Sequence, residues 1–245
     1  LIGVSMTGIG SAAVLQLDMK AAASIVKREN TRVSKLIGIN KAARTTCIKP
    51  AGTTSLVLGT SSGIHAWHND YYIRRLRVGK NEPIYSYLKA NNPDLIQDEY
   101  FRPHDTAVIE IPQSAPKGSI LRTESAFDLL ERVKKVATQW VKPGHRTGSN
   151  THNVSATISL KSNEWEKAGE WMWENRECYN GLSVLPYDGG TYTQAPFEDI
   201  TKKEFDKRVK GLSDIDLSVI TETSDETDLS GELACSGGSC EVTSL

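Results

Sequence analysis

Apolar residues recur at two different spacings along the first 212 residues, and the two spacings alternate. Stretches with apolar residues three or four apart predict helices, whereas short β-branched or alternating stretches predict strands. Because helix and strand alternate, the pattern indicates an α/β architecture with parallel strands, in which binding loops follow the carboxyl ends of the strands. The predicted helices are residues 18–38, 82–90, 125–141, 163–176 and 196–212. The predicted strands are residues 44–49, 71–78, 106–112, 153–160 and 181–187.

Several residues suggest where these helices begin and end. The first predicted helix takes its apolar spacing from Ile25, Val33, Leu36 and Ile37. Ser162 and Thr201 are the expected N-caps of the last two helices, and Gly211 is expected to end the last one.

The pattern ends at about residue 213, where Ser, Thr, Asp and Glu take over. We therefore expect a folded part, residues 1–212, and a flexible acidic tail, residues 213–245. Residues 212–245 hold eight acidic residues and no Lys or Arg, so the remaining 211 residues hold 29 basic and 22 acidic ones. A mildly basic body suits an anionic ligand, although a solvated surface with a disordered end explains the same charges.

Length and composition narrow the class of protein. The 245 residues begin with Leu1 and read at once as the inside of a domain, so we expect a fragment that lacks its N-terminal part. No apolar run approaches the roughly 20 residues that cross a bilayer, and no signal peptide is recognisable. Four cysteines are too few for a disulfide scaffold of this size, which favours the cytoplasm.

The stretch from residue 46 to residue 65 is the candidate anion site. Lys49 ends a predicted strand, Pro50 and Gly52 make a turn, and three hydroxyl residues follow at positions 53–55. Backbone N–H groups at such a helix start attract anions, so the loop could hold a phosphate. A βα turn with ordinary capping residues is the alternative, and the Walker spacing is missing.

Histidines and arginines follow that loop. His65 and His68 lie three residues apart and could share a metal on a helix, but no ligand set is complete nearby, and packing is the preferred interpretation. Arg74, Arg75 and Arg77 could face an anion or form a solvated strand edge. We predict no metal site.

The four cysteines fall into two groups. Cys47 and Cys178 lie in predicted secondary structure, where packing explains a thiol. Cys235 and Cys240 lie in the acidic tail, where packing does not explain them, and the tail has no His to complete a zinc site. We therefore predict that these two thiols form a redox pair on a mobile arm that exchanges with a disulfide elsewhere.

These motifs, in this order, resemble the C-terminal part of the adenosylcobalamin-dependent (class II) ribonucleotide reductases of the monomeric ribonucleoside-triphosphate type. The resemblance runs over essentially the whole chain. It rests on "GVSMTG" (3–8), the stretch 36–78 with "KPAGTTS", "HNVSATISL" (152–160), "GLSVLPYDGGTYTQAPFED" (181–199) and "CSGGSC" (235–240).

The resemblance implies a fold, a reaction and site residues. It implies the C-terminal portion of a ten-stranded α/β barrel with a disordered tail. It implies adenosylcobalamin as cofactor, a thiyl radical that abstracts the ribose 3′-hydrogen, loss of the 2′-hydroxyl as water, and two cysteines as reductant. The implied substrate-phosphate loop is Ala51, Gly52, Thr53, Thr54 and Ser55, with Ala51 where relatives have Ser. The implied redox shuttle to thioredoxin is Cys235 and Cys240. Cobalamin contacts are placed at Ser62, Gly63, His65 and Tyr192.

The chain also departs from the family pattern. The thiyl cysteine, its neighbouring Asn and Glu, the two reducing cysteines and the allosteric nucleotide site belong upstream of "GVSMTG", and no "NPCGE"-like stretch is present. The chain alone is therefore expected to be inactive, with the N-terminal part of the same enzyme as a required partner and no role for a membrane or a nucleic-acid polymer. A stand-alone, non-catalytic module that binds nucleotide phosphates or exchanges thiols is the alternative. A reductase with a separate radical subunit is disfavoured, because Tyr187 and Tyr192 are not adjacent.

Overall fold

A computed structural model of the chain describes residues 1–187 and 192–221, apart from the side chains of residues 53 and 56, and the backbone of two short strands near the C-terminus. The helices are α1 Met19–Leu36, α2 Thr53–Val57, α3 Pro83–Asn91, α4 Ala126–Val136, α5 Trp165–Glu174 and α6 Lys202–Lys210. The strands are β1 Val4–Ser5, β2 Thr46–Cys47, β3 Tyr71–Gly79, β4 Ile96–Asp98, β5 Thr106–Ser114, β6 Thr157–Leu160, β7 Ser183–Pro186, β8 Phe197–Asp199, β9 Cys235–Ser236 and β10 Ser239–Cys240. Short 3₁₀ turns lie at Ile9–Ser11, Ala13–Gln16, Pro93–Leu95, Arg176–Cys178 and Leu217–Val219, and a π-helical turn, Ala137–Val141, extends α4.

Residue contacts divide the chain into two compact units. The first unit comprises Leu1–Trp67 and Pro116–Asp188, and the second comprises His68–Ala115 and Gly189–Leu245. The predicted division between residues 1–212 and the tail stays a prediction, because most of the tail lies outside the described residues. None of the described helices is both long enough and apolar enough to cross a membrane.

The first unit contains parallel strands packed against helices. β1 pairs with β2 and β6 pairs with β7, both in parallel, and an isolated parallel bridge joins Ile48 to Val154. The core lies between these strands and the helices, and it is built largely from α4 and β6 with Ile48 and Ile64. The capping box of Ser125 and Asp128 begins α4, whose buried Arg132 forms an ion pair with Glu124. Parallel strands, as predicted, therefore occur in this unit.

The second unit contains a four-stranded sheet in the order β4-β5-β3-β8. Every pairing in this sheet is antiparallel, so the prediction of parallel strands is wrong here. Glu110 is buried and binds two arginines, Arg75 at 2.7 Å and Arg208 at 3.0 Å, so that α6 is fastened to the sheet. Arg75 also contacts Glu198 in β8.

The predicted helices and strands largely exist; most are shorter than predicted, whereas β3 and β5 extend one and two residues further. Thr201 accepts a hydrogen bond from the Glu204 amide and is the N-cap of α6, as predicted. The predicted cap at Ser162 is wrong, because α5 begins after Glu164, which makes no side-chain cap. A mixed α/β fold is confirmed, whereas the ten-stranded barrel is not shown by the described strands and stays a prediction.

Candidate functional site: an open sheet face and the loop after β2

The segments 46–49 and 153–160, which contain the parallel strands β2 and β6, have one buried face and one open face. Buried and accessible residues alternate along these two segments, as expected for strands whose side chains point alternately to opposite sides. The buried set is Thr46, Ile48, Val154, Ala156, Ile158 and Leu160, and the accessible set is Cys47, Lys49, Asn153, Ser155, Thr157 and Ser159. The accessible set is almost entirely polar, so a polar ligand could lie against this face.

An open cavity of about 300 Å³ lies on the accessible face. Its lining comprises Leu1, Ile2, Gly3, Cys47, Lys49, His152, Asn153 and Ser155. Burial raises the pKa of the Cys47 thiol, while the charge of Lys49 acts in the opposite direction. The thiol is therefore mainly protonated at neutral pH and a weak nucleophile, which agrees with the interpretation of Cys47 as a packing residue.

The predicted phosphate loop leaves β2 beside this cavity and is open to solvent. Lys49, Gly52 and Thr54 are exposed, and Gly52 has a φ of 49°, which favours glycine. The Thr54 amide donates to the Ala51 carbonyl at 3.0 Å and starts α2. Anion contact is thus geometrically possible at the exposed positions.

Two groups of this loop are already engaged. The buried Ser55 hydroxyl donates to the Gly52 carbonyl at 2.7 Å. The Ala51 amide donates to the Ser62 hydroxyl at 3.0 Å. In this conformation the Ser55 hydroxyl proton and the Ala51 amide therefore hold the loop in shape, and a phosphate role for these two residues stays a prediction.

A second segment, Ser61–Gly63, packs against the backbone that leads into the loop. The Gly63 amide donates to the Thr7 hydroxyl at 2.9 Å, and that hydroxyl donates to the Ser61 carbonyl at 3.0 Å. Gly63 is buried with a φ of 54°, and a Cβ atom there would lie 2.6 Å from the Lys49 carbonyl oxygen. Only glycine fits this approach, so the predicted cofactor residue Gly63 has a packing role of its own.

His65 is buried and both of its ring nitrogens have backbone partners. Nδ1 lies 3.2 Å from the Ser62 carbonyl oxygen, and Nε2 accepts a hydrogen bond from the Thr157 amide at 3.1 Å. Desolvation lowers the pKa of His65, and the positive charge of Arg132 acts in the same direction.

The remaining candidates lie in the second unit. Tyr192 is exposed there. His68 Nε2 lies 2.9 Å from an Asp199 oxygen, and the His68 ring stacks on Phe197. Arg75 and Arg77 form ion pairs with carboxylates, and Arg74 lies 4.3 Å from the centre of the Phe197 ring. These contacts account for the arginine group without an anionic ligand.

Gln194 is a residue that the sequence did not single out. Its φ is 55°, which is uncommon for a residue other than glycine. Its side chain donates to the Asp98 carbonyl at 2.8 Å and accepts from the Tyr100 amide at 2.9 Å. These two hydrogen bonds hold the segment before β8 in a conformation that no local sequence pattern predicts.

No protein-family model matches the chain, but individual relatives do. The chain is 29% identical over 212 residues to an adenosylcobalamin-dependent ribonucleoside-triphosphate reductase of Lactobacillus acidophilus, which covers 85% of the chain and 28% of that protein. A reductase of the same name from Euglena gracilis is 26% identical over 252 residues and covers 98% of the chain and 33% of that protein. The chain thus spans about a third or less of these relatives.

A solved structure has the same fold. The crystal structure of a B-12 dependent (class II) ribonucleotide reductase superposes with a TM-score of 0.70 at 23% identity, over 87% of the chain and 33% of that protein. The predicted resemblance to this family is confirmed.

Proposed function

We propose that this chain is part of an adenosylcobalamin-dependent ribonucleoside-triphosphate reductase, an enzyme that converts ribonucleotides to 2′-deoxyribonucleotides. The observation that carries the proposal is the agreement between two comparisons: relatives of that name align with 85% of the chain, and a class II reductase has its fold at a TM-score of 0.70. Triphosphate substrates follow from the names of the relatives.

Within this enzyme, we assign the substrate phosphates to the loop Ala51–Ser55. The loop opens to solvent beside the polar face of the parallel sheet, and exposed Lys49 adds a positive charge. Thr54 offers an exposed hydroxyl, and Gly52 lets an oxyanion approach the backbone. The engaged Ala51 amide and Ser55 hydroxyl keep the loop in a preformed shape, which reduces the ordering cost of binding.

The thiols of Cys235 and Cys240 in the tail would reduce the active-site disulfide after each turnover. Reduction of one ribonucleotide to deoxyribonucleotide and water oxidises two active-site thiols to a disulfide. Thiol–disulfide exchange then moves that disulfide onto Cys235 and Cys240, because their two thiols supply the two protons and two electrons that reduce the active-site pair. A dithiol protein of the thioredoxin class finally reduces the disulfide of the tail. The antiparallel register places Cys235 opposite Cys240, and opposed Cα atoms about 4.5–5.5 Å apart are compatible with a disulfide.

The first residues of the tail are hydrogen-bonded to α3 and to the residue that follows it. The Ser213 amide donates to the Asn92 side chain and the Asp216 amide donates to the Tyr87 hydroxyl, both at 2.8 Å. The 19 residues from Asp216 to Cys235 can span at most roughly 60–70 Å, more than the width of a domain of this size.

Three of the four predicted cobalamin contacts are engaged within the chain and fit the cofactor poorly. Gly63 meets backbone atoms where a Cβ would lie, the Ser62 hydroxyl accepts from Ala51, and His65 has partners on both nitrogens. The relatives are named for this cofactor, so we propose that the complete enzyme uses adenosylcobalamin for radical generation. We assign it no contact through these three residues.

The phosphate assignment is tested with Thr54→Val. We expect tripolyphosphate and a ribonucleoside triphosphate to bind roughly ten- to a hundredfold more weakly, because a hydrogen bond to a charged group contributes about 1.5–3 kcal/mol. Titration calorimetry of the complete enzyme measures both affinities.

Thr138→Val is the matched control, because Thr138 is also an exposed helical threonine but lies in the π-helical turn that extends α4. If the wild type and Thr54→Val bind tripolyphosphate and the triphosphate with equal affinity, the proposed phosphate contact of Thr54 is refuted. A wild-type enzyme that binds the nucleoside as tightly as the triphosphate would remove the phosphate role of the whole loop.

A further inference from the structure

The side chain of His65 bridges two segments that are far apart in the sequence. Because Nε2 accepts a hydrogen bond from the Thr157 amide, this nitrogen carries no proton. The single proton of the neutral ring is therefore on Nδ1 and is donated to the Ser62 carbonyl oxygen at 3.2 Å. The contacts thus select one tautomer of the neutral imidazole.

Ser62 connects His65 to the phosphate loop through hydrogen bonds. Its carbonyl accepts from the His65 ring at 3.2 Å and from the His65 amide at 3.0 Å, and its hydroxyl accepts the Ala51 amide at 3.0 Å. The Ala51 carbonyl in turn accepts the Thr54 amide at 3.0 Å. A continuous chain of hydrogen bonds therefore runs from Thr157 in β6 through His65 and Ser62 to the start of α2.

The surroundings of His65 favour the neutral ring. The charged group that acts on it is Arg132 on α4, whose own partner is the Glu124 carboxylate. Arg132 also donates to the Ile64 carbonyl at 3.1 Å, so that both neighbours of Gly63 are held by buried side chains. Protonation of Nε2 would put a donor against the Thr157 amide and break the first link of the chain.

We propose that His65 is a positioning residue for the phosphate loop, acting through Ser62 on the Ala51 amide. The inference rests on the proposed function only in the statement that this loop binds phosphate. Loss of the His65 ring should remove one of the two donors to the Ser62 carbonyl, weaken the bond to Ala51 and loosen the start of α2. A residue that merely filled space would change the overall stability without singling out Ala51.

The test compares amide hydrogen exchange in the complete wild-type enzyme and in its His65→Leu, Ser62→Ala and control Thr46→Val variants. We expect the Ala51 amide to exchange about tenfold faster in the first two variants, which corresponds to about 1.4 kcal/mol of lost local protection. Thr46→Val removes a buried hydroxyl that binds the Trp140 carbonyl, so it lowers stability without touching Ser62. His65→Gln, which can replace one of the two hydrogen bonds, should give an intermediate rate.

Wild-type protein supplies a second measurement in case His65→Leu does not fold. The amide resonances of Ala51 and Thr157 should both shift with the titration of the His65 ring. The positioning role is overturned if the Ala51 amide resonance does not shift during this titration. It is also overturned if the Ala51 amide exchanges equally fast in Thr46→Val and His65→Leu.

Binding of inorganic tripolyphosphate separates this inference from the proposed function. Weaker binding in His65→Leu and Ser62→Ala, together with faster Ala51 exchange, supports both. If the complete wild-type enzyme does not bind tripolyphosphate while Ala51 still follows His65, the phosphate role fails and the positioning role stands.

Discussion

Gly63→Ala is the substitution for which the structure predicts the sharpest local effect. The φ of Gly63 is 54°, and an added Cβ would lie 2.6 Å from the Lys49 carbonyl oxygen and 3.3 Å from the Pro50 Cα atom. Both atoms belong to the backbone that leads into the phosphate loop, so a small side-chain rotation cannot relieve the clash. We expect Lys49 and Pro50 to move, or the Ser61–Gly63 segment to separate from them.

Two terms add to the cost. A left-handed conformation costs an L-residue roughly 1–2 kcal/mol. Forcing an extra methyl group into a packed site costs typically about 1–3 kcal/mol. Gly63→Ala should therefore lower the free energy of unfolding by roughly 2–5 kcal/mol and weaken triphosphate binding as well.

Gly52→Ala is the matched control in the same loop. Its φ is 49°, but nothing lies within 4 Å of the added Cβ, so only the conformational term of roughly 1–2 kcal/mol applies. Urea denaturation, with unchanged slope, measures both losses. Equal losses in the two variants would refute the close approach of Gly63 to Lys49.

Two further predictions concern the redox tail and pH. Cys235→Ser in the complete enzyme should leave a single turnover of prereduced protein intact and abolish turnover supported by thioredoxin; unchanged steady-state turnover would contradict the shuttle. Stability should fall as the pH drops below about 6.5, because the unfolded chain protonates His65 near that pH, whereas the lowered pKa of the folded chain delays protonation. The loss should stop below the folded pKa and be absent above pH 7.5. Urea midpoints from pH 5 to pH 7.5 measure it, and a His65→Gln variant with the same pH profile as the wild type would exclude His65 as the source.

The sequence predicts helices well where caps and periodicity agree. Thr201 and the apolar spacing after it define α6, and Asp18 precedes α1 and caps it. The orientation of α1 is less predictable, since Ile25, Leu36 and Ile37 are exposed. The side chains of α1 that are buried are Met19, Ala23 and Ser34, and small residues carry little hydrophobic signal.

The sheet of the second unit could not be predicted for a different reason. Its outer strands, β4 and β8, have three residues each, which is too short for a period of two to stand out. Their places are set by long-range contacts instead. Arg75 on β3 joins Glu110 on β5 to Glu198 on β8, and none of these charges signals a sheet locally.

The phosphate loop shows how long-range contacts divide the roles within one motif. The sequence alone does not distinguish the roles of Ala51, Thr54 and Ser55, because each residue has a hydrogen-bond donor near a helix start. Ser62, eleven residues after Ala51, takes the Ala51 amide, and the Gly52 carbonyl takes the Ser55 hydroxyl, whereas Thr54 stays exposed. A serine at position 51 would therefore add a hydroxyl to a residue whose amide is already fixed, so we expect Ala51→Ser to leave the shape of the loop unchanged. The absence of that hydroxyl is tolerable because the shape of the loop depends on the amide of residue 51 and on Ser62.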